Sequence, residues 1–94
     1  MGWSAARKLR RSVDALTRVL AIELLTAARA LDLRAPLQPG PATGAVVAAL
    51  REHVPGPATD RFLAPEIEAA VELVRSGTAV RVADAHLGAP LAGV

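Results

Sequence analysis

Between residues 4 and 34 the chain runs for thirty-one positions without a Gly or Pro, and its apolar side chains return every three or four residues. At 3.6 residues per turn, that spacing brings Leu9, Val13, Leu16, Leu20, Leu24, Ala27 and Leu31 to one side of a helix. The pattern predicts one long helix with this stripe along one face. Polar positions are spread unevenly along it. Arg7, Lys8, Arg10, Arg11, Asp14 and Arg18 crowd the first half, whereas from Val19 to Leu33 only Glu23, Thr26, Arg29 and Asp32 interrupt the apolar run. A helix that is apolar nearly all round is covered on most sides. About 28 residues at a rise of roughly 1.5 Å make a rod of about 42 Å, against a radius of gyration of about 12 Å for a compact domain of this length. The expectation is that the apolar second half is covered by protein outside these 94 residues.

Pro36 disfavours helical geometry at Ala35, and Pro39, Gly40 and Pro41 follow, so the helix should stop near Arg34. A connector of that length over residues 35–41 predicts a second helix, residues 42–53, returning antiparallel to the first. Val46, Val47 and Leu50 give it an apolar face, and Arg51 and His53 stand at its carbonyl end, where positive charge is favoured. Residues 55–63 read as a loop, with Asp60 placed to cap the next turn and Phe62 and Leu63 as apolar plugs. A third helix is punctuated by Pro65 in its first turn, Glu66 and Glu68 near its positive end, Arg75 in its last turn and Gly77 just beyond. Ile67, Ala70, Val71 and Val74 form its buried stripe. Residues 78–94 have weak periodicity and no stop signal, and read as a loose tail. The fold class is all-α: one long helix followed by two shorter ones over residues 1–77.

Composition narrows the chemistry. A chain of 94 residues buries only about 60 to 65 % of its unfolded surface. It has no Cys, which removes disulfides and thiolate metal sites and fits a reducing compartment. Trp3 and Phe62 are the only aromatic residues besides the two histidines. The net charge of +2 is divided, because residues 1–34 carry seven Lys or Arg against three acids and residues 35–94 carry four against six. Arg7, Lys8, Arg10 and Arg11 could contact phosphates or acidic lipid, yet no aromatics are interleaved and no nucleic-acid module is recognisable. Arg10, Asp14 and Arg18, four apart, read more simply as a solvated charge ladder. The basic start and apolar run imitate a targeting signal, with Ala28-Arg29-Ala30 as a cleavage-like site, but Asp14 and Glu23 spoil it. The run from Val19 to Leu33 is too short and too charged to span a bilayer. A cytoplasmic location is expected, with neither nucleic acid nor membrane as partner.

Reactive groups are few. His53 and His86 lie far apart in sequence with no carboxylate or Cys at ligand spacing. Ser4, Ser12 and Ser76 fall at the start, in the body and at the end of helices. Glu23, a carboxylate inside an apolar run, is the one candidate for a site residue; pairing with an Arg from a neighbouring helix, or a solvated notch, is the favoured account of it.

Three blocks in order, MGWSAARKLRR opening a long helix, then AIELLTAARALDLR, then DRFLAPEIEAAVELVRSG, resemble the C-terminal end of the histidine ammonia-lyases, in the aromatic amino acid lyase family. The resemblance runs from Met1 to about Gly77. It implies elimination of ammonia from L-histidine to give urocanate, the first step of histidine degradation, in a cytoplasmic homotetramer. It also implies a methylidene-imidazolone electrophile made from an Ala-Ser-Gly triplet, catalytic tyrosines, and a Gln-Glu-Asp-His-Val-like segment just before the position that Met1 matches. None of these occurs in the chain, where the nearest approach to the triplet is Arg75-Ser76-Gly77. No catalytic, cofactor-binding or metal residue is therefore carried over, and Glu23 takes a structural role. The partners implied are the rest of the lyase polypeptide and sister subunits. The chain is expected to be inactive alone, and the codons before Met1 to encode the acidic segment and, far upstream, the triplet. Phenylalanine and tyrosine lyases and aminomutases share the fold, so the substrate rests on overall similarity. The alternatives are a stand-alone helical interaction module, and a basic helix for nucleic acid or membrane.

Overall fold

The computed structural model describes residues 2–56 and 64–87. Among them are four α-helices and no strand: α1 (Gly2–Leu33), α2 (Pro41–Arg51), α3 (Ala64–Arg75) and α4 (Thr78–Asp84). The 32 residues of α1 make a rod of about 48 Å. The radius of gyration is 15.2 Å and the longest extent 54 Å, against about 12 Å for a compact domain of this size. The hydroxyls of Thr17 and Thr26 donate back to the carbonyls of Val13 and Ile22, each at 2.9 Å, so neither interrupts α1.

The helix ends follow the punctuation. After Leu33 the amides of Arg34 and Ala35 donate to the carbonyls of Leu31 and Asp32. Gly40 and Pro41 then begin α2, with Pro41 in its first turn. α3 ends at Arg75, and Gly77 holds the left-handed conformation, φ 81°, that stops a helix cheaply only without a Cβ. The amide of Gly77 donates to the carbonyl of Val74 at 3.2 Å.

Two expectations need correction. α2 does not return along α1; α3 is the principal companion of α1, and α2 packs chiefly on α4. Residues 78–84, where weak periodicity suggested a tail, form α4, held by Ala79 against the core and by buried Ala83. Seven residues of small side chains are too short a span for periodicity to reveal. α1 meets the core on a face beside its stripe of large apolar residues. Its contact with the core is made by Ala21 and Ala28, with Leu24 and Leu25 packed beside them, while Leu9, Val13, Leu16 and Leu20 are exposed. At about 100° per residue the two sets stand roughly a quarter turn apart. Alanines let a second helix come close, and Ala70 of α3 is likewise fully buried.

The core is small: Ala21, Ala28, Leu50, Val54, Ala70, Val71 and Leu73, flanked by half-buried Val47, Ile67 and Val74. Of the stripe read for α3, Ala70 and Val71 are buried, and Leu73 joins them. Asp60, Phe62 and Leu63 and the residues after Leu87 lie outside the described residues.

Candidate functional site

The most extensive feature that the fold leaves open is the surface of α1. Trp3, Leu9, Val13, Leu16, Val19, Leu20 and Ile22 are all exposed, Leu9 at 66 % and Leu16 at 57 %. α3 covers one side of the second half of the helix, so the uncovered apolar surface reaches from the first half into the middle and is not confined to residues 19–33 as the pattern suggested. Contiguous apolar surface on this scale marks a place where other protein packs.

Arg7, Lys8, Arg10 and Arg11 occupy the rest of the circumference of the first half and are exposed. The guanidinium of Arg7 lies 5.7 Å from the ring centre of Trp3, a cation–π contact that orders the first turn. Arg18, which also feels the charge of Asp14 one turn back, has its hydrogen-bond partner on another helix. Its Nη1 donates to Glu68 Oε1 of α3 at 2.8 Å. This hydrogen bond, with the attraction between the charges, holds the Glu68 carboxyl below the usual carboxylate range and raises Arg18 above its ordinary value. The spacing of residues 10, 14 and 18 concealed the pairing, since a cross-helix partner fifty positions away leaves no local signal.

The polar candidates are not brought together. Glu23 is exposed on α1, so the cost of burying a carboxylate does not arise. His86 sits at the end of α4 with Nδ1 3.0 Å from the carbonyl of Val82. His53 is exposed beside an open cleft of about 320 Å³, which Glu52, Glu72 and Ser76 also line. Ser76 is engaged there as a linker cap: its Oγ is 3.3 Å from the carbonyl of Leu73 and 2.8 Å from Thr78 Oγ1. Ser76-Gly77 is the only Ser-Gly pair in the chain, and with Arg75 before it and Gly77 committed to the helix stop it does not fit the precursor of an imidazolone electrophile. Among the described residues no cluster of three His, Cys, Asp or Glu could hold a metal ion, and no helix is long and apolar enough to cross a membrane.

Sequence comparison supplies the family of this all-α chain. The chain belongs to the aromatic amino acid lyase family, whose profile matches residues 1–52. It is 55 % identical over 93 residues to the histidine ammonia-lyase of Streptomyces avermitilis, covering 98 % of this chain and 18 % of that enzyme. It is 54 % identical over 89 residues to that of Streptomyces coelicolor, covering 94 % of this chain and 17 % of the enzyme. The enzyme of Symbiobacterium thermophilum shares 50 % identity over 88 residues, again 94 % of this chain and 17 % of the other. The chain thus spans less than a fifth of the length of these relatives. No solved structure matches it significantly.

Proposed function

We propose that the chain is the C-terminal helical part of a histidine ammonia-lyase and is inactive alone. The observation that carries this is the identity of 55 % along 98 % of the chain to an enzyme of which it represents 18 %, together with the apolar face of α1 that the chain itself leaves uncovered. In this reading α1 lends a rigid rod to a helical bundle, α3 packs on its second half with α2 and α4 behind it, and the reaction from L-histidine to urocanate belongs to the assembled enzyme.

Elimination of ammonia needs an electrophile to activate the amine and a base for the β-proton. The chain has neither an Ala-Ser-Gly triplet nor a Tyr, so both are assigned to the preceding polypeptide. The partners are that polypeptide and the sister subunits of a homotetramer, in the cytoplasm and in histidine degradation. The test is reconstitution. The purified chain should form no urocanate from L-histidine, and neither should the Streptomyces avermitilis enzyme cut back to remove its matching segment. Produced together, the two should form it. Urocanate from the chain alone, free of host enzyme, overturns the reading.

A further inference from the structure

We draw no further inference here: the strongest candidate, the open cleft between α2 and α3 lined by Glu52, His53, Glu72 and Ser76, carries nothing because those side chains are exposed and no unpartnered buried polar group among the described residues points into it to indicate a ligand.

Discussion

The guanidinium of Arg51, at the end of α2, donates through Nη2 to the carboxylate of Asp32 in the last turn of α1, and through Nη1 to the main-chain carbonyls of Val54 and Pro55. Both side chains of the pair are 20 % exposed. One planar cation thus joins the end of the long helix to the chain leaving α2, a geometry that five fixed donors make possible and an ammonium does not. Arg51→Lys should therefore weaken the junction, and Arg51→Ala should cost about 2 kcal/mol, in the range for hydrogen bonds to charged groups. Urea unfolding of the two variants checks this, with Lys expected between wild type and Ala.

A second prediction follows from the clamp between Arg18 and Glu68. The hydrogen bond from Arg18 lowers the Glu68 pKa, so Glu68 binds protons less readily folded than unfolded. Its contribution is complete above the ordinary carboxylate pKa and is lost as pH falls through the lowered folded value. Both side chains are about half exposed, so the effect is small and screened by salt. Arg18→Gln should return the Glu68 carboxyl toward its usual range in a carbon-detected NMR titration, and an unchanged midpoint would show that the pair does not persist in solution.

Burial separates two leucines of opposite consequence. Leu50 is 1 % exposed and Leu9 is 66 % exposed. Leu50→Ala should destabilise the chain by about 2 to 4 kcal/mol through lost burial and a residual cavity. Leu9→Ala should leave the unfolding of a dilute sample within about 0.5 kcal/mol of wild type. Chemical denaturation at low protein concentration distinguishes the two.

Gly77 tests the stop between α3 and α4. A Cβ built there meets nothing within 4 Å, but φ is +81°. The cost of Gly77→Ala is therefore conformational, roughly 1 to 2 kcal/mol, and Gly77→Asn should recover part of it because Asn tolerates the left-handed region. The order Gly, Asn, Ala in thermal melting is the expected outcome.

These residues also show which parts of the molecule were legible in the sequence. The stop at Gly77, the start at Pro41 and the length of α1 rest on local backbone chemistry, and local patterns display it. The face of α1 that meets α3 does not. Periodicity is dominated by the largest apolar side chains, which pointed to Leu9, Val13, Leu16 and Leu20, whereas the contact is made at Ala21 and Ala28, where smallness permits close approach. Arg18 and Arg51 were read as a ladder member and a helix-end charge, but their partners Glu68 and Asp32 lie on other helices. α4 was missed because a seven-residue helix of mostly small residues carries too little pattern. Absence of a catalytic triplet was plain from residue identity; which face of the rod is left for other protein required the fold.

The central claim is that this chain is an interchangeable helical part of a histidine ammonia-lyase. The most direct measurement replaces the matching segment of the Streptomyces avermitilis enzyme, 55 % identical over 93 residues, with this chain and follows urocanate formation from L-histidine. The account predicts a soluble chimera with turnover within about tenfold of the parent, since the exchanged segment supplies packing and not reacting groups. It predicts loss of assembly and activity when Leu9 and Leu16 of the inserted segment are both changed to Lys, which would force two charges into a face that the rest of the enzyme covers. A chimera that folds and assembles but forms no urocanate, or one that keeps full activity with both lysines in place, would contradict it.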